Sequence, residues 1–204
     1  RSWPVGGGFT DSQRAIHQLV CGARDRAVST LAPGIEYRDV HLAAALYLAR
    51  GLAEIGILKG EPEGLVERDA HALFFPHGVG HLLGLDVHDM EDLGDLAGYA
   101  CGRTRSHRFG LNALRLDRPI EAGMVVTIEP GFYQIPALIQ DYQRVGSIKD
   151  CVDFKILRDF EDVRGIRIED DVLITEQGSE VLTAALPSTP EKTGSSLRLD
   201  DTVR

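Results

Sequence analysis

Three histidines lie close together in a glycine-rich stretch, and imidazoles so placed can bind a metal or move a proton. The stretch reads HGVGHLLGLDVHD and contains His77, His81 and His88. Gly78 and Gly80 disfavour a helix, so His77 and His81 do not form a helical zinc-binding pair. In extended backbone, residues four apart face the same way, and adjacent glycines let the backbone approach a ligand closely. We therefore expect a ligand site here, the alternative being histidines of an ordinary turn.

Two further segments place carboxylates at the ends of predicted strands. In TIEPG, Glu129 follows an apolar run and precedes a Pro-Gly turn, so its carboxylate is either exposed and idle or aimed at a site. In GIRIEDD, alternation puts Arg167 and Glu169 on one face and Ile166 and Ile168 on the other. By itself the second pattern also fits a solvated strand face whose ion pair is worth about 0–1 kcal/mol.

One histidine with Glu129 and Glu169 would combine an imidazole with two hard oxygen ligands. That mixture suits Mn, Co or Zn better than a thiolate-type structural site. A single metal could use all three side chains. Two metals about 3.5–4 Å apart would need bridging carboxylates and more ligands than these.

Helices and short strands must position these residues. A helix is predicted over 11–31, because a Thr10–Gln13 capping box opens it and Pro33-Gly34 stops it. A second amphipathic helix is predicted over 38–56. Short apolar runs then predict strands at 72–75, 82–87, 124–128 and 172–175. We expect a loop over 89–118, a partly helical excursion over 133–165, and a disordered tail over 187–204.

Composition narrows the class of protein. The formal net charge of −9 and pI near 5.2 argue against nucleic acid or an anionic membrane as a partner. No apolar run is long enough to span a bilayer. Cys21, Cys101 and Cys151 are far apart and lack CxxC spacing, which indicates reduced thiols and a cytoplasmic setting.

In this order and spacing, the three segments resemble the metallopeptidase family that includes aminopeptidase P, prolidase and methionine aminopeptidase. The histidine stretch, TIEPG and RIEDD are most similar to its proline-specific branch, as is the opening RSWPVGGGFTDSQR. The resemblance covers about residues 1–186, which we interpret as the C-terminal part of a catalytic domain. It implies an α/β pita-bread fold, in which a curved antiparallel sheet flanked by helices cups a dinuclear metal site.

The resemblance also implies a role for each site residue. His81, Glu129 and Glu169 would be metal ligands, with Glu169 bridging two divalent ions, Mn before Co or Zn. His77, His88 and Glu129 would be catalytic. His77, His88 and Arg167 would contact the substrate, and Arg167 would also brace the site through carboxylate contacts.

One departure from the family pattern affects the metal site. The family's two aspartate ligands precede the RSWP segment, whereas the first aspartate here is Asp11, at the start of the first predicted helix. We therefore interpret the sequence as a piece of a longer protein, N-terminally incomplete, and expect weak metal binding and little activity from it alone.

The function implied for the intact protein is hydrolysis of the X-Pro bond at the N-terminus of peptides or in dipeptides. Proline-containing peptides would be its partners, and a homo-oligomer its assembly. Two alternatives remain open: a non-catalytic peptide- or protein-binding module on the same scaffold, and a metal-free, creatinase-like hydrolase that uses its histidine as acid and base.

Overall fold

The computed structural model describes residues 1–191, except for the side chains of residues 142–144. Most of the predicted disordered tail therefore lies outside the described residues. Its first residues pack on the first helix, where the Ser188 carbonyl accepts a hydrogen bond from Cys21 Sγ at 2.9 Å and Glu191 pairs with Arg14 at 3.0 Å. Within the described part, no helix combines the length and apolar character needed to cross a membrane.

Two long helices form one layer of the fold. Helix α1 spans Asp11–Val28 and α2 spans Tyr37–Glu54, so both predicted helices are confirmed, with α1 ending three residues early. The predicted capping box is present, since Thr10 accepts from the Gln13 amide while the Gln13 side chain accepts from the Thr10 amide. The buried face of α1 lies against the sheet as part of a single core.

The strands form two antiparallel ladders. They are β1 (Val125–Ile128), β2 (Gly131–Tyr133), β3 (Gly165–Arg167), β4 (Asp170–Thr175) and β5 (Gly178–Val181). One ladder has the order β1-β4-β5, and the other pairs β2 with β3. Ile128 pairs with Asp170 and Gly131 with Arg167. Glu129 and Glu169 therefore lie where the first ladder meets the second.

The remaining helices are short. They are α3 (Pro62–Glu67), α4 (Asp95–Gly98), α5 (Pro136–Ile139), α6 (Tyr142–Ile148) and α7 (Phe154–Arg158), with 3₁₀ turns at Ala70–Leu73, Glu91–Leu93 and Lys149–Cys151. The excursion over 133–165 is thus partly helical, as predicted. The stretch over 89–118 is mainly loop, interrupted by the single-turn helix α4 and the 3₁₀ turn at Glu91–Leu93.

The predicted strand over 72–75 is wrong. Residues Ala70–Leu73 form a 3₁₀ turn, and the amides of Phe74 and Phe75 both point back to the His71 carbonyl. Phe74 and Phe75 are each only 1% exposed. The run is buried on all sides, so it lacks the alternation that separates a strand from a short helical turn.

The predicted strand over 82–87 is also wrong. Leu82 makes only an isolated bridge to Val126, and the chain then turns, because the Asp86 amide donates to Asp89 Oδ1 at 3.3 Å. Aspartate side chains satisfy nearby backbone groups and so compete with a strand. Leu85 and Val87 are fully or largely exposed as a result.

Candidate metal centre

His81, Glu129 and Glu169 converge from three separate segments of the chain. One ligand atom from each lies within 4.8 Å of the other two. His81 is 3% exposed and Glu129 is 7% exposed, whereas Glu169 is of intermediate exposure. The three predicted ligands therefore share one pocket.

Backbone pairing holds the histidine segment against β1. The Thr127 amide donates to the His81 carbonyl at 2.9 Å, and the Glu129 amide donates to the Val79 carbonyl at 2.7 Å. A Cβ atom on Gly80 would lie 1.9 Å from the Thr127 carbonyl oxygen and 2.4 Å from the Tyr37 hydroxyl. Glycine at position 80 is therefore what allows the histidine segment to approach the strand so closely.

The ring of His81 is oriented by its own backbone neighbourhood. Nδ1 lies 2.8 Å from the Leu82 carbonyl, which can only accept, so Nδ1 carries a proton. Nε2 then faces Glu129 Oε1 at 3.2 Å. Burial, the largest single effect, would lower the pKa of His81, but the hydrogen bonds with Glu129 and the Leu82 carbonyl and the charges of Glu129 and Glu91 together raise it. In the neutral ring, Nε2 offers its lone pair to the pocket.

Glu129 is the most firmly held carboxylate of the group. Oε2 accepts from Arg167 at 2.8 Å, and Oε1 accepts from the Thr127 hydroxyl at 3.2 Å. Burial, the largest single effect, would raise the pKa of Glu129, yet the His81 hydrogen bond and the charges of Arg167, His81 and His77 together lower it. The group therefore stays ionised near neutral pH.

Glu169 lacks such support. Among the described residues, none donates a hydrogen bond to its carboxylate. Burial and the nearby negative charge of Glu129 both raise its pKa. Two converging carboxylates repel each other unless a cation lies between them. Together with an imidazole nitrogen, this donor set fits a divalent transition-metal ion.

His77 lies beside this group and contacts Arg167 and Tyr133. Its Nδ1 donates to the Gly78 carbonyl at 2.8 Å, and its Nε2 accepts from Arg167 at 3.3 Å. Burial, followed by the Arg167 charge, lowers the pKa of His77 to about 4. In this arrangement the neutral ring presents an acceptor towards the site.

His88 lies on the opposite side of His81, with ring centroids 4.5 Å apart. Its Nδ1 accepts from Arg115 at 3.2 Å, which leaves Nε2–H available as a donor. Arg115 also bonds Glu91, and both residues line, together with His81, a cleft of about 160 Å³. His81, His88 and Glu91 also lie close enough together to hold a metal ion. The positive charge of Arg115, which contacts both His88 and Glu91, makes that group a poor site for a cation.

Sequence reasoning missed three residues of the site. Tyr133 accepts from Arg167 Nε at 2.6 Å and packs its ring 5.4 Å from that of His77. Arg115 was assigned only to a loop, and Thr127 had no role beyond its strand. The alternation of residues 129, 131 and 133 could have indicated Tyr133, whereas no local pattern marks Arg115.

Comparisons with known proteins identify the family to which the chain is similar. The model of metallopeptidase family M24 matches residues 1–176. The chain is 38% identical over 192 residues to an Xaa-Pro dipeptidase of Rattus norvegicus, covering 94% of this chain and 37% of the rat protein. It is 36% identical over 191 residues to a probable Xaa-Pro aminopeptidase of Podospora anserina, covering 94% of this chain and 40% of that protein.

Solved structures give the same result. Zn-substituted Escherichia coli aminopeptidase P in complex with product superposes with a TM-score of 0.71 at 34% identity, covering 96% of this chain and 36% of that chain. Proline aminopeptidase P II from Yersinia pestis superposes with a TM-score of 0.71 at 35% identity. The superposition covers 96% of this chain and 37% of the Yersinia pestis chain. The chain thus spans little more than a third of the length of these relatives.

These matches confirm the predicted pita-bread fold. Antiparallel strands flanked by helices hold the three motif segments in the order and spacing from which the family was identified. The family model covers most of the chain, and the two relatives given above are named as an Xaa-Pro dipeptidase and a probable Xaa-Pro aminopeptidase. The chain belongs to metallopeptidase family M24.

Proposed function

We propose that this chain supplies His81, Glu129 and Glu169 as metal ligands of a metallopeptidase that hydrolyses the X-Pro bond at the N-terminus of peptides or in dipeptides. The observation that supports this most directly is the convergence of the three side chains within 4.8 Å. Proline's tertiary amide and fixed φ make such bonds poor substrates for general peptidases, so a dedicated site is needed.

The ions we propose are two divalent cations, manganese before cobalt or zinc. When bound, they would supply hydroxide near neutral pH and polarise the scissile carbonyl. Within the described part of the chain, no aspartate joins the His81–Glu129–Glu169 group. One histidine and two glutamates are therefore this chain's own contribution to a site that needs further ligands.

The protein's side chains would divide the remaining work. Glu129, held as a carboxylate by His81 and Arg167, accepts the proton of the attacking water and passes it to the proline nitrogen. His88 donates through its free Nε2–H to the substrate. His77 acts with Arg167, because its Nε2 accepts from that guanidinium. It becomes a donor to substrate only when Nε2 is protonated and Arg167 has moved away.

A titration with Mn²⁺ tests the ligand set. The 204-residue chain is expected to bind Mn²⁺ weakly, and Glu169→Gln or His81→Ala should weaken that binding at least about tenfold, because each removes a ligand. Free Mn²⁺ is followed by electron paramagnetic resonance. Asp150→Asn, which changes an exposed carboxylate paired with Arg68, is the control. Equal affinity in all four proteins would contradict the proposed site.

The substrate is tested on the natural full-length polypeptide. Two bound Mn²⁺ equivalents and selective cleavage of X-Pro over X-Ala peptides would support the peptidase. Peptide binding without any metal or hydrolysis would favour a recognition module, and hydrolysis without metal would favour a creatinase-like reaction. Comparing X-Pro dipeptides with X-Pro tripeptides separates dipeptidase from aminopeptidase activity.

We further propose that the protein works in the cytoplasm as a homo-oligomer. Cys21, Cys101 and Cys151 are all unpaired and lie within the described residues, which supports a reducing compartment. Light scattering of the full-length protein measures the assembly, and cell fractionation measures the compartment. A monomer in the first measurement, or an exported protein in the second, would contradict these two assignments.

A further inference from the structure

A buried charge cluster lies directly behind Glu169. Asp170 is 2% exposed, and its Oδ1 accepts from Arg1 at 2.6 Å and from the Thr183 hydroxyl at 2.7 Å. Its Oδ2 accepts from Arg24 of α1. The side chains of Arg1 and Arg24 are 5% and 11% exposed. We call Arg1, Arg24 and Asp170 the arginine clamp.

The clamp is joined to the ligand strand through the backbone. Arg1 also donates to the main-chain carbonyl of Glu169. Ser2, the next residue, accepts from the Arg167 amide and donates to the Arg167 carbonyl, both at 3.0 Å. Consecutive residues of the first segment therefore fix the backbone on both sides of Ile168.

Because side chains alternate along a strand, the anchoring of the backbone at Asp170 determines where the Glu169 carboxylate points. Neighbouring side chains on a strand point to opposite faces, so Asp170 faces α1 while Glu169 faces the site. None of the described residues holds the Glu169 carboxylate by a hydrogen bond, in contrast to Glu129, which accepts from Arg167 and Thr127. The direction of the Glu169 side chain thus depends on how its backbone is held.

We propose that the arginine clamp is a positioning device that aims Glu169 at the metal site. This inference rests on the proposed metal-ligand role of Glu169. Asp170, Arg1 and Arg24 make no hydrogen bond to the side chains of the three proposed ligands, and they do not line the cleft beside His88. They act through the Glu169 peptide, in the way that outer contacts commonly orient a metal ligand.

The chain offers a matched control for this proposal. Asp117 is a second buried aspartate, 1% exposed, and it too is held by two arginines, Arg38 and Arg103. It anchors the loop over 99–118 and makes no contact with the Glu169 segment. Asp170→Asn and Asp117→Asn therefore both remove a buried carboxylate that two arginines hold, although Arg38 and Arg103 are themselves 33% and 29% exposed. Only the first substitution acts on Glu169.

The experiment compares Mn²⁺ affinity in the two variants, with urea unfolding measured alongside. Asp170→Asn should weaken Mn²⁺ binding about ten- to a hundredfold, whereas Asp117→Asn should change it less than about twofold despite a comparable loss of stability. Arg24→Gln, which leaves Arg1 in place, should give an intermediate loss and serves if Asp170→Asn does not fold. Equal affinities in all three variants and the parent chain would overturn the proposal.

A crystal structure of the variant that folds separates this proposal from the metal assignment. If the natural full-length protein binds no Mn²⁺, the metal role of Glu169 fails, but the clamp is still tested by where the carboxylate lies. Displacement of Glu169 from the 4.8 Å group with His81 and Glu129, and no displacement in Asp117→Asn, supports positioning by the clamp. An unmoved Glu169 refutes it.

Discussion

At the scale of single residues, Arg167 links the parts of the site. Its guanidinium donates to Glu129, to the Tyr133 hydroxyl and to His77. A planar group with several fixed donors can make these contacts at once, whereas a lysine ammonium on a flexible stem cannot keep the same geometry. The single positive charge also offsets part of the repulsion between Glu129 and Glu169.

Replacing Arg167 by lysine should therefore loosen the site without removing the charge. The pKa of Glu129 should rise, because the nearby Arg167 charge helps to lower it and an ammonium on a flexible stem would not be held at the same place. The free energy of unfolding should fall by about 1 kcal/mol, since the side chain is 43% exposed and solvent screens its ion pair. Carboxyl ¹³C NMR and urea unfolding measure the two effects.

Arg108→Lys provides the matched control for Arg167→Lys. Arg108 is 45% exposed and also bridges to a carboxylate, that of Asp69, through a hydrogen bond of 2.7 Å. It should leave the titration of Glu129 unchanged. A Glu129 pKa unaffected by Arg167→Lys would show that the guanidinium does not set the charge of this ligand.

At the scale of elements, the site depends on how closely the histidine segment approaches β1. The segment has no regular strand structure, yet its backbone bonds to Thr127 and Glu129 place His81 beside the end of the strand. The two ladders then bring Glu129 and Glu169 together, because each carboxylate follows or precedes a paired strand. Backbone pairing between three separate segments thus brings the side chains of His81, Glu129 and Glu169 together.

Gly80→Ala should disrupt this approach. A Cβ at position 80 would collide with the Thr127 carbonyl and the Tyr37 hydroxyl, both of which belong to the buried core. We expect a loss of about 2 kcal/mol or more in the free energy of unfolding, as for overpacking elsewhere, together with weaker Mn²⁺ binding. Thermal and urea unfolding measure the first effect.

Gly64→Ala is the opposite case and serves as the control for Gly80→Ala. Gly64 lies inside α3, and a Cβ there would meet no atom within 4 Å. Alanine should stabilise this helix by about 0.5–1 kcal/mol and leave metal binding unchanged. If both alanine variants were equally stable, the close approach at Gly80 would not matter to the fold.

At the scale of the whole molecule, buried histidines couple folding to pH. His41 and His71 lie in the core, fully or almost fully buried, with ring centroids 6.4 Å apart. Burial lowers the pKa of His41 to about 4 and that of His71 to about 3. Both rings are therefore neutral in the fold and become protonated near pH 6.5 only when the chain unfolds.

Stability should accordingly fall in acid. Below about pH 6.5 the unfolded chain binds protons that the folded chain does not, so the free energy of unfolding decreases as pH falls towards 4. Each histidine contributes up to about 1.4 kcal/mol per pH unit. His71→Leu should reduce the slope by about that amount between pH 6 and 4, and His107→Leu, at an exposed ring, should not. Urea unfolding at several pH values decides between them.

Much of the fold follows from local patterns. Helix α1 was predicted because its capping box and apolar periodicity agree, and α2 because of its apolar stripe. The strands β1 and β4 were predicted because apolar runs bounded by turn residues fit a partly buried sheet. The runs over 72–75 and 82–87 failed as strands. Residues 72–75 are all buried, so they show no alternation of apolar and polar side chains that would separate a strand from a helical turn. In the run over 82–87, the Asp89 side chain accepts a backbone hydrogen bond that a strand would need for its own pairing.

The sequence by itself determined the family, the order of the motif segments and the residue types available as ligands. Only the tertiary structure decided that His81, Glu129 and Glu169 meet within 4.8 Å, that Tyr133 and Arg115 belong beside them, and that Asp170 is clamped by Arg1 and Arg24. Periodicity assigns a side chain to a face of its own element. Which faces come together depends on strand pairing and core packing between residues as far apart as 1 and 170, and no local pattern encodes those contacts.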